Sequence, residues 1–161
     1  MKKPTKLTLS VIGMCLTLLF AVPAAGSDGG DNNAQQIGQR WCDAWNSHDV
    51  DRVLAVFTDD VLYEDVTFGL TVHGRAELRD FAHFFFSAVP DLHLQCTKTF
   101  VSGGHGSIEW IFSGTDVGIF KTGKTFSVRG ATVIEVRGGK ISRNSDYYDA
   151  AAIMRQVGIL P

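Results

Sequence analysis

Apolar side chains in the first half of the domain recur at the spacing of helices. Within residues 34–47 they occupy one face of a predicted helix: Ile37, Trp41, Ala44 and Trp45. Further helices are predicted after Asp49, which is placed to cap the first turn, and over residues 75–88, where Pro90 ends the helix. Between these two helices, β-branched and aromatic residues predict a strand over residues 61–66, followed by a loop over residues 67–74.

After Pro90 the apolar period changes to two, which indicates strands. Leu92, Leu94 and Cys96 alternate with polar residues. Glycine-containing turns at 103–104, 122–124 and 138–139 then bound strands over 107–115, 125–137 and 140–148, and a short helix over 149–157 follows. Three helices with one early strand, followed by a four-stranded antiparallel meander, predict an α+β fold. Its long, curved strands, with helices on one face, are expected to form a cone around a hydrophobic cavity.

The first 26 residues have a different pattern. Lys2, Lys3 and Lys6 precede an uncharged apolar run that ends at Val22, and small residues follow at 24–26. This order is typical of a secretory signal peptide, and the run is shorter than the ~20 residues that span a bilayer. We therefore expect cleavage of residues 1–26 on export to the periplasm or the medium, and the alternative is that the apolar run is retained as a membrane anchor. Residues 27–33 are then a flexible leader, and residues 34–161 form one domain that makes no membrane contact.

The net charge and the cysteine content limit which partners, metals and cofactors the domain is expected to bind. Removal of the three signal lysines leaves 12 basic and 17 acidic residues, a net charge near −5, and no basic stripe is interleaved with aromatic residues. This balance argues against a nucleic-acid partner. Two cysteines remain, Cys42 and Cys96, and we expect buried thiols in preference to a disulfide. No Cys or His pair has metal-ligand spacing and no phosphate-binding glycine loop occurs, so neither a metal nor a cofactor is expected.

Three segments carry a resemblance to a known family. They are QRWCDAWNSHDVDRVLAVFTDDVLYED at 39–65, FSGTDVGIFKTGKTFSVRG at 112–130 and GKISRNSDYYDAAAIMRQVG at 139–158. In this order and spacing they resemble the SnoaL-like polyketide cyclase group of the nuclear-transport-factor-2-like superfamily, which is related to ketosteroid isomerase and limonene epoxide hydrolase. The resemblance implies a cone-shaped cavity, a homodimer and cofactor-independent acid–base chemistry, although the same fold also hosts pure binding domains.

Asp65, at the end of the first strand, is one candidate for chemistry. A carboxylate at a cavity mouth beside Tyr63 and Phe68 would be partly desolvated, which raises its pKa toward the range of a general base. By resemblance, Asp65 matches the proton-shuttling aspartate of ketosteroid isomerase. The oxyanion-binding tyrosine of that enzyme falls on Trp41 and its second oxyanion donor on Ala131, so an enolate would need other donors here. The alternative role for Asp65 is a turn or cap carboxylate.

Asp146, on the last strand, is the other candidate. Alternation places it on one face with Ser142, Asn144 and Tyr148, which would make it a buried acid if that face lines the cone. By resemblance, it matches the acid/base aspartate of SnoaL-like cyclases and lies in a segment similar to one in limonene epoxide hydrolase. The alternative role is a hydrogen-bonded core acid.

Water addition to an epoxide is a further hypothesis from the same resemblance. Limonene epoxide hydrolase activates water with an Asp-Arg-Asp set. Its second aspartate falls on Asp116 and its arginine on Gly114, so Arg129 on a neighbouring strand would have to substitute.

Aromatic residues and one histidine complete the predicted ligand site. His83 lies on the Phe-rich helix and changes charge near neutral pH. Aromatic residues that face a cavity indicate a small hydrophobic ligand, although most also serve as ordinary core. The predicted ligand-binding set is Trp41, Trp45, Tyr63, Phe68, His83, Trp110, Phe112, Asp116, Arg129, Asn144 and Tyr148. The favoured function is an isomerase or cyclase that uses Asp65 and Asp146, and the alternative is a non-catalytic binding or interaction module.

Overall fold

The computed structural model describes residues 28–161, so the predicted signal peptide lies outside the described residues. The helices are α1 (Asp28–Asn46), α2 (Val50–Val56), α3 (Gly74–Ala88) and α4 (Ala150–Gln156). The strands are β1 (Phe57–Asp65), β2 (Leu70–His73), β3 (His93–Ser102), β4 (His105–Thr115), β5 (Thr125–Arg137) and β6 (Lys140–Tyr148). Over this range, no helix has the length and apolar character needed to cross a membrane.

The strands form one curved, open sheet in the order β2-β1-β6-β5-β4-β3. Strands β3 to β6 pair with their chain neighbours as the predicted antiparallel meander. Strand β1 lies parallel to β6, and β2 pairs antiparallel with β1 at the edge. Helix α1 packs against β3 and helix α3 against β1. The α+β prediction is confirmed, with a mixed sheet in place of an antiparallel one.

Two aspartates begin helices as the sequence predicts. The Asp49 carboxylate accepts hydrogen bonds from the backbone N–H groups of Asp51 (2.9 Å) and Arg52 (3.3 Å) at the start of α2. The Asp149 carboxylate accepts one from the Ala152 N–H (3.0 Å) at the start of α4. Each side chain satisfies a backbone donor that has no partner inside the helix.

Three local predictions differ from the structure. Helix α1 begins at Asp28, inside the segment predicted as a flexible leader. Strand β1 begins at Phe57 rather than at the predicted residue 61, because Phe57 pairs with Ile141 of β6 ahead of a shift in the strand register. Strand β2 occupies part of the predicted 67–74 loop. Only Val72 of its four residues is buried, so its apolar pattern is weak and its pairing with β1 defines it.

A disulfide joins Cys42 of α1 to Cys96 of β3, so the prediction of two buried thiols is wrong. Helix α1 packs directly on β3, and the two Cα atoms lie 6.2 Å apart, a separation that suits a disulfide. The bond therefore ties the helix that covers the inner face of the sheet to the strand at its far edge.

The core lies between the helices and the inner face of the sheet. On β4, Ile108, Trp110 and Phe112 are buried in the predicted alternation. Trp41 and Trp45, one helical turn apart, bring the buried face of α1 against them. This aromatic layer forms the wall of the site described below.

Candidate active site

The parallel pairing of β1 and β6 places Asp65 beside Asp146. The two residues are register partners, as are Tyr63 and Asn144 one step earlier on the same face. Residues in register on neighbouring strands share a face at a strand separation of about 4.8 Å. Both carboxylates are turned to the interior, with exposed fractions of 3% for Asp65 and 7% for Asp146.

Both carboxylates line one internal cavity. Its walls are otherwise almost entirely aromatic and aliphatic, it is partly open, and its volume is about 40 Å³. A cavity of that size holds a few water molecules, so a larger occupant requires the surrounding side chains to move. The lining residues are Trp41, Trp45, Tyr63, Asp65, Phe81, Phe85, Leu92, Leu94, Trp110, Phe112, Asp146 and Tyr148.

Asp146 is buried but receives hydrogen bonds on both carboxylate oxygens. Its Oδ1 accepts from Thr132 Oγ1 (2.6 Å) and from Asn144 Nδ2 (2.8 Å), and its Oδ2 accepts from the Tyr63 hydroxyl (2.5 Å). Burial raises the pKa of Asp146 to about 6, while the three donors oppose that rise by stabilising the ionised form. Asp146 therefore changes its protonation state just below neutral pH.

Asp65 has its own tyrosine partner. Its Oδ2 accepts from the Tyr148 hydroxyl (2.7 Å), and its Oδ1 accepts from the backbone N–H of Phe68 (3.1 Å). Burial raises the pKa of Asp65 above the ordinary aspartate value, and the hydrogen bonds only partly offset it. Burial, together with the neighbouring carboxylates, also raises the pKa values of Tyr63 and Tyr148, so both hydroxyls remain protonated donors.

All three tryptophans of the chain lie in the cavity wall, but their indole N–H groups are used differently. Trp41 Nε1 donates to Asn144 Oδ1 (3.1 Å), and Trp110 Nε1 donates to Thr132 Oγ1 (2.8 Å). Trp45 Nε1 is buried with no hydrogen-bond partner among the described residues. Trp41, which the resemblance matches to the oxyanion-binding tyrosine of the isomerase, thus has its donor already engaged.

Three residues of the predicted ligand set lie outside the cavity. Asp116 accepts hydrogen bonds from the backbone N–H groups of Phe120 (2.8 Å) and Thr122 (2.9 Å), so it organises the turn between β4 and β5. Burial raises the pKa of Asp116, but these bonds outweigh it and the net direction is downward. Arg129 and His83 are exposed. The structure therefore does not assemble an Asp-Arg-Asp set.

Two further residues of that set contact the carboxylates without lining the cavity. Asn144 is fully buried behind Asp146, and Phe68 packs its ring 6.0 Å from that of Tyr148. No group of three His, Cys, Asp or Glu residues within 28–161 is placed to hold a metal ion.

The sequence interpretation missed Thr132, the buried residue that links Trp110 to Asp146. A signal existed, because Thr132 takes an inward position on β5 between Val128 and Ile134, where a polar residue interrupts an apolar face. Four apolar lining residues were also absent from the predicted set: Phe81, Phe85, Leu92 and Leu94.

The sequence matches the model of a known protein family. The model of the SnoaL-like domain family matches residues 39–144, most of the described chain. The chain belongs to the SnoaL-like family. The match ends at Asn144, two residues before Asp146, so the second carboxylate of this SnoaL-like domain lies just beyond it.

Individual relatives match this chain at modest sequence identity. Cyclase aurE of Calcarisporium arbuscula is 30% identical over 100 residues, which are 62% of this chain and 74% of that protein. A hypothetical protein with a ketosteroid isomerase-like fold from Catenulispora acidiphila, solved with trimethylamine, superposes with a TM-score of 0.71 at 28% identity, covering 78% of this SnoaL-like chain and 94% of its own. TsrD from Streptomyces laurentii superposes with a TM-score of 0.70 at 24% identity, covering 80% and 97%.

Proposed function

We propose that this SnoaL-like domain is an exported, cofactor-independent acid–base catalyst, of the isomerase or cyclase type, that acts on a small hydrophobic carbonyl compound. One observation carries the proposal: Asp65 and Asp146 both line the same apolar cavity. Each has a raised pKa and its own tyrosine partner. Two buried acids in different surroundings can serve as the proton acceptor and the proton donor of an acid–base reaction.

Asp146 acts as the base in this proposal. It is ionised above its pKa of about 6 and takes a proton from the carbon next to the carbonyl group. The C–H electron pair moves into the carbonyl group and forms an enolate. In an isomerisation the same proton then returns to a more distant carbon. In a cyclisation the enolate carbon attacks a second carbonyl carbon, the new C–C bond replaces the π bond of that carbonyl group, and the resulting alkoxide takes the proton back from Asp146. Asp65 lines the same cavity, where hydrogen bonds from the Tyr148 hydroxyl and the Phe68 N–H hold its carboxyl group as the second acid–base group.

The test uses 3-cyclohexen-1-one, a small unconjugated ketone with an acidic C–H beside its carbonyl group. Its conversion to the conjugated ketone moves one proton and needs no other reactant. We expect the protein to accelerate this conversion, with a rate that is low in acid and rises to a plateau with a midpoint near pH 6, because the base must be ionised. No acceleration over buffer at any pH from 4.5 to 8 would contradict the proposal.

Ketone binding is followed separately by tryptophan fluorescence, since all three tryptophans border the cavity. Quenching that accompanies isomerisation supports the proposal. Saturable quenching without any isomerisation would overturn the catalytic part of it and favour the non-catalytic binding module, which this fold also supports.

The disulfide supports the proposal that the domain is exported. Stable disulfides form in oxidising compartments such as the periplasm or the extracellular medium and are rare in the cytosol. The Cys42–Cys96 bond agrees with the signal-like pattern of residues 1–26.

The outer face of the sheet supports the proposal of a homodimer. Val133 of β5 and Tyr147 of β6, on adjacent strands, are 49% and 47% exposed. Exposed apolar residues that lie together often mark a protein interface. A second copy of this chain is the occupant that the family resemblance implies.

Native mass spectrometry of the full chain, expressed in a secreting host, tests export and assembly together. We expect a mature subunit that lacks about the first 26 residues, carries an oxidised cysteine pair and forms a dimer. Val133→Glu places a charge in the outer face and is expected to give the monomer. A retained leader would contradict export, and a wild-type monomer at micromolar concentration would contradict the dimer.

A further inference from the structure

Two tryptophans direct their N–H groups at the residues that hold Asp146. Trp41 reaches Asn144 and Trp110 reaches Thr132, and both of those side chains then contact Asp146 Oδ1. We infer that Trp41 and Trp110 are positioning residues, which fix the donor direction of Asn144 and Thr132 and thereby set the ionisation and the reactive oxygen of Asp146. The consequence for catalysis rests on the proposed function, but the hydrogen-bond directions do not.

The Trp41 contact determines the orientation of the Asn144 side chain. An indole N–H can only donate, so the group facing it must be the amide oxygen, at 3.1 Å from Trp41 Nε1. The amide nitrogen then faces Asp146 Oδ1 at 2.8 Å. A reversed amide would oppose two donors at Trp41 and two acceptors at Asp146, which leaves both buried contacts unsatisfied.

The Trp110 contact does the same for the Thr132 hydroxyl. Because that hydroxyl accepts from Trp110 Nε1 at 2.8 Å, its single proton is left for Asp146 Oδ1 at 2.6 Å. Gly130 makes this approach possible, since a Cβ at that residue would lie 2.2 Å from the Trp110 ring. The Trp41 and Trp110 rings also stack on each other, with centroids 6.4 Å apart.

These two fixed donors make the two carboxylate oxygens of Asp146 differ in how many hydrogen bonds they accept. Each carboxylate oxygen has two lone pairs, and Oδ1 uses both, for Thr132 and Asn144. Within residues 28–161, Oδ2 accepts a hydrogen bond from the Tyr63 hydroxyl alone, which leaves one of its lone pairs unused. Oδ2 is therefore the oxygen that is open to a substrate proton.

Few other titratable groups lie close enough to Asp146 to affect its ionisation. The other titratable groups that line the cavity are Tyr63 and Asp65 of β1 and Tyr148 of β6. Helices α1 and α3 and strands β3 and β4 contribute only apolar and indole side chains to the lining, and β5 faces Asp146 with Thr132. Directed neutral donors, rather than a basic residue, thus stabilise the ionised carboxylate, so the loss of one should raise its pKa.

The first test is a carboxyl NMR titration of protein labelled with ¹³C-aspartate, in which Asp146→Asn assigns the Asp146 signal. Trp41→Phe and Trp110→Phe each keep an aromatic ring and remove one N–H, and we expect each to raise the Asp146 midpoint by about one pH unit. Trp45→Phe is the matched control, because its N–H has no partner among the described residues and its loss should leave the midpoint in place. Equal midpoints in all four proteins, or equal shifts in all three variants, would overturn the inference.

A double variant then tests whether Trp110 acts on the Asp146 midpoint through Thr132. We expect Thr132→Val to raise the midpoint, and Trp110→Phe to add nothing further in that background. An undiminished effect of Trp110→Phe in the absence of the hydroxyl would contradict the relay.

A measurement on the unaltered protein covers the case in which a variant fails to fold. The indole ¹H–¹⁵N signals of Trp41 and Trp110 should shift with pH at the Asp146 midpoint, and that of Trp45 should shift less. Signals of Trp41 and Trp110 that do not respond at that midpoint would overturn the inference. Neither titration involves a substrate, so a protein that proves inactive toward ketones leaves both results interpretable.

Discussion

Replacement of Asp146 by asparagine is expected to slow the isomerisation of 3-cyclohexen-1-one by about 10²–10⁴-fold, the usual contribution of a positioned general base. The amide cannot accept a proton from carbon, yet it is close to the carboxylate in size and can still accept hydrogen bonds from Thr132 or Tyr63. The measurement is the initial rate at pH 7.5, above the pKa of about 6. The thermal unfolding midpoint, recorded in parallel, shows whether the variant remains folded.

Asp60→Asn is the matched control for this experiment. Asp60 is an exposed aspartate on the same strand as Asp65, outside the cavity, where it pairs with Arg137. The same chemical change there should leave the rate within a factor of two, because exposed ion pairs contribute little. A folded Asp146→Asn protein that isomerises the ketone as fast as Asp60→Asn would remove Asp146 from the mechanism.

Loss of the Cys42–Cys96 disulfide is expected to lower the free energy of unfolding by about 4 kcal/mol. The bond closes a loop with a sequence separation of 54, and without it the unfolded chain regains the freedom that the closure removes. Urea unfolding of Cys42→Ala/Cys96→Ala, followed by tryptophan fluorescence, gives the difference from the oxidised protein. A domain at the lower end of the ordinary range of about 5–15 kcal/mol would then be close to unfolding at 37 °C.

Reductant provides the internal control for the disulfide. Dithiothreitol should shift the unfolding midpoint of the wild-type protein to that of the double alanine variant, and should leave the variant itself unaffected. Coincident urea curves for oxidised wild-type protein and the variant would show that the bond does not stabilise the fold.

Local patterns predicted most of the elements, and long-range pairing accounts for those that they missed. The period-two segments after Pro90 correspond to β3 to β6, because neighbours in the chain are also neighbours in the sheet. The partners β1 and β6 are about 80 residues apart along the chain, and nothing in either segment specifies a parallel pairing between them. Strand β2 exists because β1 offers it an edge, which its own four residues do not reveal.

The positions of the two carboxylates could be predicted from the sequence, but most of their hydrogen-bond partners could not. Alternation along β6 correctly placed Asn144, Asp146 and Tyr148 on the inner face. The tyrosine partners depend on β1 lying beside β6, so neither the Tyr63 bond to Asp146 nor the Tyr148 bond to Asp65 follows from local sequence. The same holds for the disulfide, whose cysteines meet only because α1 crosses β3.

The Cys42–Cys96 disulfide closes a covalent ring of the chain that contains one of the two carboxylates and not the other. The ring includes Asp65 and Tyr63, whereas Asp146 and Thr132 lie on the chain that follows it. A protease that cuts one exposed peptide bond inside the ring, such as one at Gly69 between β1 and β2, leaves every residue of the site on a single covalently joined molecule. A cut in the Gly138–Gly139 turn, outside the ring, separates Asp146 from Asp65 as soon as the fold opens. In an environment rich in proteases, the position of a nick would therefore determine whether the damaged protein can refold with both acids present.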